Sequence, residues 1–357
     1  MTIVREDTCI QAAIFAPESV PSENNDLSQT LSLISNNIQS QAILNINSDS
    51  NAYSTSPIES TEAFRNVTRW LDSSDEDAAF WWQMTGPLLG LLLSEASYDL
   101  HSQYQALLSC NRFVVTALGR RPASNGTHRI WKSYMTDDHS PIEFSWNWRD
   151  STKPPRIRCT IEAIPSEIDS IDPSNQEECV KLIRQLRVTL PNNDWQLFDY
   201  FANAFRLRAK STAEAVAQAD NRGYRSSMFL GFEFEKDRIV IKAYFAPVVE
   251  TGDSVWKAIV RSVKALEHGQ IEFLALLELD SFLAVSHEGI QLNVEGLAID
   301  YVPLRKSRLK IYARSSLTSF DSVRTYMTMG SVGTIPHSAN LRSHVIRAWR
   351  PFLDKTP

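Results

Sequence analysis

The sequence predicts an α+β protein in which antiparallel strand pairs are interleaved with long helices. Three observations carry this reading. Period-two alternation occurs in paired runs at 142–164, 228–247 and 292–315. Segments of helical spacing flank each pair, so the recurrent unit is helix, strand, strand, helix, and three such units are visible. Finally, several of the strands separate into an apolar face and a face carrying arginine, lysine and tyrosine.

Residues 1–60 are rich in Ser, Asn and Thr without sustained periodicity, and read as a disordered N-terminal extension with a short amphipathic helix at Leu31–Ile38. Order is expected to begin near Glu62. Ser74-Asp75-Glu76-Asp77 then places acids in the first turn of a helix, where they favour its dipole. Phe80, Met84, Leu88, Leu91 and Leu92 continue it at helical spacing, and Gly86-Pro87 is expected to kink it. A second helix spans about Leu100–Leu118 and stops at Gly119.

Strands follow at Ile142–Trp148 and Arg156–Ile164, then helices at Ser174–Leu190 and Asp194–Arg208. The second strand pair is Met228–Glu235 and Arg238–Pro247, turning at Lys236-Asp237. Helices at Ser254–Leu266 and Ile271–Leu283 precede the third pair, Leu292–Tyr301 and Arg308–Ser315. Ser319 caps a helix to Met327, and a last helix is expected at Ser338–Trp349.

On the first strand Glu143, Ser145 and Asn147 share the polar face. On the second, Arg156, Arg158, Thr160 and Glu162 do so, and the later strands contribute Lys242 with Tyr244, then Arg308, Lys310, Tyr312 and Arg314. A sheet with one solvated face shows the same alternation. Here, however, flanking helices must cover the apolar face, and the polar face interleaves cations with tyrosines. If the sheet curls into a barrel, these faces line a lumen. Converging cations repel and are costly to desolvate, so they make sense when a polyanion arrives. Tyrosine rings among them can stabilise a nearby carbocation by about 0.5–2 kcal/mol each. Cations for a diphosphate and aromatic faces for an allyl cation are the requirements of prenyl transfer.

Bulk properties exclude other classes. The net charge of −6 offers no global basic field for nucleic acid or an anionic membrane. The four cysteines, Cys9, Cys110, Cys159 and Cys179, show no metal or disulfide spacing and read as buried neutral thiols. No basic stretch followed by an apolar core opens the chain, and the apolar run Pro87–Leu93 is too short to span a bilayer. A soluble cytoplasmic protein is expected, and a homodimer is compatible with the reading.

At these residues the sequence resembles the fungal dimethylallyltryptophan-synthase family of aromatic prenyltransferases over nearly all of Phe64–Gly330. The resemblance is carried by WWQMTGPLLG at Trp81–Gly90, YMTDDHSPIEFSWNW at Tyr134–Trp148, Arg158–Ile164, FLGFEFEKDRIVIKAYF at Phe229–Phe245 and SRLKIYARSSLTSFDSV at Ser307–Val323. It implies an αββα-repeat antiparallel β-barrel with helices outside, the ABBA fold. It also implies transfer of a dimethylallyl group from its diphosphate to a small aromatic acceptor by electrophilic aromatic substitution. The diphosphate-binding cations match Arg158, Lys242, Arg308 and Lys310, the shielding tyrosines match Tyr244 and Tyr312, and the acceptor-orienting glutamate matches Glu143. No cofactor or metal is expected, because fixed cations substitute for magnesium. Asp137-Asp138 resembles half of an aspartate-rich metal motif but lacks a second cluster, and reads as a solvated turn.

Two departures shape the expectation. Phe229 stands where tryptophan-specific members place a lysine, the ring base, and an apolar side chain cannot take a proton. This favours a larger acceptor, a phenolic polyketide or an elaborated indole, over free tryptophan, with Phe229 in the acceptor pocket. Second, the motifs stop near Gly330, so the sequence divides into 1–60 extension, 61–330 prenyltransferase domain and 331–357 unmatched tail. About six strands are visible, too few for the family's closed barrel. The competing reading is therefore an inactive truncated relative that binds prenyl diphosphate without turnover.

Overall fold

The computed structural model describes residues 5–6, 9–14, 60–71, 74–122, 133, 135–136, 139–147, 155–165, 172, 174–206, 226–249, 253–266, 274–307 and 309–329. The helices expected at 31–38 and 338–349, the Asp137-Asp138 turn and Arg308 lie outside the described residues. In chain order the elements are β1 (Arg5–Glu6), β2 (Cys9–Ile14), α1 (Glu62–Trp70), α2 (Glu76–Glu95), α3 (Leu100–Ser109), β3 (Ile142–Asn147), β4 (Arg156–Ile161), α4 (Gln176–Thr189), α5 (Gln196–Ala204), β5 (Met228–Phe234), β6 (Ile239–Phe245), α6 (Val255–Ala265), α7 (Leu274–Val285), α8 (His287–Ile290), β7 (Asn293–Asp300), β8 (Lys310–Ser315) and α9 (Phe320–Thr328). The expected α+β class and its repeat of helix, strand, strand, helix are both present. Two compact units are found, one of residues 20–194 and 206–244, the other of residues 1–19, 195–205 and 245–357.

In the first unit the helices begin where side chains can cap them. Thr61, Asp75 and Asp99 accept backbone N–H bonds from Phe64, from Asp77 and Ala78, and from Ser102, satisfying donors that the first turn leaves open. The helical assignment of α2 is unbroken through Gly86-Pro87, although Pro87 cannot donate to the carbonyl of Gln83. Gly86 is needed there for closeness: a Cβ would lie 2.5 Å from the Phe64 ring. After α3 the chain widens into a π-turn at Cys110–Val114 and tightens into a 3-10 turn at Val115–Ala117. Gly119 then takes a left-handed φ of 73° and ends the run where expected.

The sheet of this unit runs β6-β5-β4-β3, with antiparallel pairing. Register settles which side chains share a face. Ile142, Phe144, Ile157, Cys159, Ile161, Leu230, Phe232, Phe234, Ile241 and Ala243 are all buried on one side. Each large member contributes about 1.5–3 kcal/mol by leaving water. α4 packs against β5. Its start is latched by a buried polar cluster in which Asn175 Nδ2 donates to the Ala163 carbonyl at 2.6 Å and to Ser226 Oγ at 2.7 Å. Gln176 Nε2 donates to Ser227 Oγ at 2.8 Å, so the entry to β5 is tied to the helix.

Tyr98 inserts its hydroxyl into the β4–β5 ladder. The Ile157 N–H donates to it at 3.2 Å, and the hydroxyl donates to the Phe234 carbonyl. One side chain from the α2–α3 connection thereby closes the end of the strand pairing that carries the site.

In the second unit β8 lies between β2 and β7, and β1 pairs with β2, all antiparallel. Within the stretch read from sequence as an extension, Arg5–Glu6 and Cys9–Ile14 therefore form strands, with Ala13 opposite Tyr312. Phe198, Phe201 and Phe205 of α5 and its end surround Phe245 at centroid distances of 5.8, 5.9 and 5.9 Å, and Trp195 meets Tyr301 edge-on at 4.8 Å. α6 covers β7, and Tyr200 donates to the Ser262 carbonyl at 2.6 Å.

Among the described residues no helix is long and apolar enough to cross a membrane. Cys110, Cys159 and Cys179 are buried thiols. Burial pushes Cys110 and Cys179 up to about 12 and Cys159 well above the ordinary thiol range. Because the thiolate is the nucleophile, iodoacetamide at pH 8 is expected to spare these three cysteines in the folded protein and to label them in urea, as peptide mass mapping would show. Tyr98→Phe strands the Ile157 donor and the Phe234 acceptor, and is expected to lower unfolding free energy in urea titration by about 1–3 kcal/mol.

Candidate functional site

The face of the first unit's sheet opposite its core is built from alternate residues of four strands. Glu143 of β3 lies across from Thr160 of β4, which lies across from Gly231 of β5. One step along, Ser145, Arg158 and Glu233 form the next row. Gly231 leaves space for β6: a Cβ there would meet the Tyr244 ring at 3.0 Å and Lys242 Cβ at 3.5 Å. The Tyr244 ring thus lies against the β5 backbone, beside the cations. Phe229, also on this face, is buried.

Glu233 organises the cations. Its carboxylate is 1% exposed and receives Arg158 Nε at 2.7 Å and Lys242 Nζ at 2.6 Å on Oε2, and Arg156 Nη1 at 2.8 Å on Oε1. Arg156 also reaches Glu235 at 2.5 Å, and Arg238 pairs with Glu235 at 2.6 Å beside the Lys236-Asp237 turn. Among the described residues four cations, Arg156, Arg158, Arg238 and Lys242, pair with these two carboxylates. Without Glu233, Arg158 and Lys242 would face each other directly. Two unit charges about 5 Å apart repel by about 3 kcal/mol at an effective dielectric of about 20.

Burial opposes ionisation of Glu233. The charges of Arg158 and Lys242, with the hydrogen bonds from Arg156 and Lys242, outweigh it and hold the carboxyl well below the usual range. Arg158 approaches side-on, through Nε. Its Nη1 and Nη2 carry no hydrogen bond to another described residue, and the side chain is 22% exposed. At the far end of β4 the polar face closes over: Glu162 is fully buried and accepts the Ser133 hydroxyl.

The second unit shows the same pairing of charge. Buried Lys310 of β8 donates to Asp300 Oδ1 at 2.9 Å. Tyr312, two residues on, lies across from Gly296 of β7. Arg314 Nε stands 3.1 Å from Glu295 Oε2, an ion pair by distance that lacks hydrogen-bond alignment.

Of the residues singled out from sequence, the first unit brings Glu143, Arg158, Lys242, Tyr244 and Phe229 onto one sheet face. Lys310 and Tyr312 share a face of β8 in the second unit. The structure adds carboxylates to the converging cations read from sequence. Arg158, Lys242 and Lys310 already have carboxylate partners, because a buried cation without one is too costly. Glu233 and Asp300 were not singled out from sequence. The alternation Phe229, Gly231, Glu233 within FLGFEF was the available signal for the first, and it puts Glu233 on the cation side.

A family model described as tryptophan dimethylallyltransferase matches residues 77–355, which includes residues 331–355 beyond the last recognisable motif. The chain belongs to the tryptophan dimethylallyltransferase family. It is 34% identical over 275 residues to the DMATS-type prenyltransferase fscG of Fusarium equiseti, covering 75% of this chain and 61% of that one. It is 30% identical over 299 residues to xanthone prenyltransferase A of Emericella nidulans, covering 82% and 66%. The crystal structure of AnaPT from Neosartorya fischeri superposes with a TM-score of 0.72 at 26% identity, over 81% of this chain and 73% of that one. The αββα fold of the family is thereby established. The chain spans about three-fifths of the length of curated relatives such as fscG.

The ion cluster carries a pH dependence. The folded-state pKa of Glu233 lies below its unfolded value, so its carboxylate contributes stability above about pH 4.3. That contribution is lost as pH falls from there toward the folded-state value. The unfolding midpoint in urea is expected to fall between pH 5 and pH 3, and the fall to be shallower in Glu233→Gln.

Proposed function

We propose that this chain is an aromatic prenyltransferase. It transfers a dimethylallyl group from its diphosphate to an aromatic secondary-metabolite intermediate, a phenolic polyketide or an indole compound. The supporting observation is that Arg158, Lys242 and the Tyr244 ring share one sheet face. Similarity to a xanthone prenyltransferase supports the phenolic side of the acceptor range.

In this reading the C1–O bond of dimethylallyl diphosphate breaks and its electron pair leaves with the diphosphate. Arg158 and Lys242 stabilise the charge that develops there, as preorganised donors do at an oxyanion, and the family resemblance gives Arg308 and Lys310 the same role. These fixed cations do the work that magnesium does in other prenyl enzymes. Tyr244 faces the allyl cation and excludes the water that would quench it, and the family resemblance gives Tyr312 the same shielding role. Glu143 accepts a hydrogen bond from an indole N–H or phenolic O–H, enriching the acceptor ring, which attacks C1 and then gives up its ring proton to a base. Phe229 lies on the same face as the cations, on the row beyond Gly231, and supplies apolar surface for the acceptor.

Purified protein incubated with dimethylallyl diphosphate and a panel of phenols and indoles is expected to give a prenylated product, with activity retained in excess EDTA. Lys242→Ala and Lys310→Ala are each expected to lower turnover by about 100-fold with regiochemistry unchanged. No product from any acceptor would overturn the proposal. Calorimetric binding of the diphosphate without product would favour the non-catalytic alternative.

A further inference from the structure

Glu233 is 1% exposed, which leaves it no surface for a ligand. It nevertheless binds the two cations of the first unit that the proposed reaction uses. The manner of binding is asymmetric. Arg158 gives Glu233 its Nε, the nitrogen nearest the side-chain stem, and keeps its terminal Nη1 and Nη2 without a hydrogen bond among the described residues. A guanidinium anchored this way presents two parallel donors, the arrangement that fits a pair of phosphate oxygens. Lys242 gives the same carboxylate oxygen one donor at 2.6 Å, which fixes its flexible stem beside Arg158. Arg156, on the other oxygen at 2.8 Å and itself paired with Glu235, braces the carboxylate from the opposite side.

We propose that Glu233 is a positioning residue of the diphosphate site: it anchors Arg158 through Nε, so that the terminal nitrogens of that guanidinium are set for a phosphate group before it arrives, and it holds the Lys242 charge beside them. The inference rests on the prenyl-diphosphate reading above. Its physical basis is preorganisation. Two long side chains held in place lose less freedom on binding than two mobile ones. The negative charge of Glu233 opposes an incoming anion, yet it is buried and neutralised by three cations, so geometry outweighs repulsion.

Isothermal calorimetry with inorganic diphosphate tests this on the full chain without acceptor or turnover. The wild type is expected to bind, and Glu233→Gln, with its circular dichroism unchanged, to bind about ten-fold more weakly. Glu233→Asp keeps the charge but withdraws it by one methylene, and is expected to fall between them. If Arg158 acts through its anchor, Arg158→Lys should cost less affinity in the Glu233→Gln background than in the wild type, whereas a purely structural Glu233 gives additive losses. Equal or tighter binding by Glu233→Gln would overturn the inference while leaving the prenyl-diphosphate reading intact. Should that variant not fold, Glu233→Asp binding as tightly as wild type would overturn it equally. A wild type that binds no diphosphate would remove both.

Discussion

Positive charge can be buried on a pleated sheet only where negative charge is buried beside it. The cost of removing an isolated ion from water is several kcal/mol even after relaxation, far more than any single contact in this fold returns. β5 meets that constraint. It lies between β4 and β6, and its whole length is buried. From there one carboxylate reaches cations on both neighbours, so Glu233 serves β4 and β6 at once. A carboxylate on an edge strand could serve only one. β7 and β8 solve the same problem pairwise, with Asp300 beside Lys310.

Around that charge cluster the fold is arranged to keep strand register fixed. Tyr98 closes the β4–β5 ladder, Asn175 and Gln176 hold the entry to β5, and the Glu235–Arg238 turn joins β5 to β6. The apolar side of the sheet supplies the burial energy, and the polar side carries the charge cluster. Gly231 connects the two roles. Its missing side chain lets the Tyr244 ring settle against β5, two residues along the strand from the row that holds Arg158 and Glu233.

Much of this was legible in the residues. Six strands and most helices begin and end within a few residues of where alternation and capping place them, since buried faces force a period and Asp or Ser at a helix start satisfies open donors. What escaped was non-local. Cys9–Ile14 carries little pattern of its own and becomes a strand through pairing with β8. The π-turn at Cys110–Val114 looks like ordinary helix in sequence. Arg158 and Lys242 were recognisable as cations. Glu233 was not recognisable as their partner, because only the register that sets it opposite Arg158 distinguishes it from a solvated acid. The cations are visible one strand at a time, whereas their neutralisation exists only between strands.

Arg156 and Arg158 are separated by one residue on β4, with Ile157 and Cys159 turned the other way. Side chains that alternate with a period of two make this site far more sensitive to reading length than to spelling. A one-codon insertion or deletion just upstream of β4, carried into the strand, would turn both guanidiniums into the apolar layer and bring Ile157 and Cys159 to face Glu233. Most single-letter changes would leave the pleat intact. In lineages descended from such a chain, β4 should therefore tolerate exchange of residues while its length stays fixed, with gains and losses of sequence confined to the connections on either side.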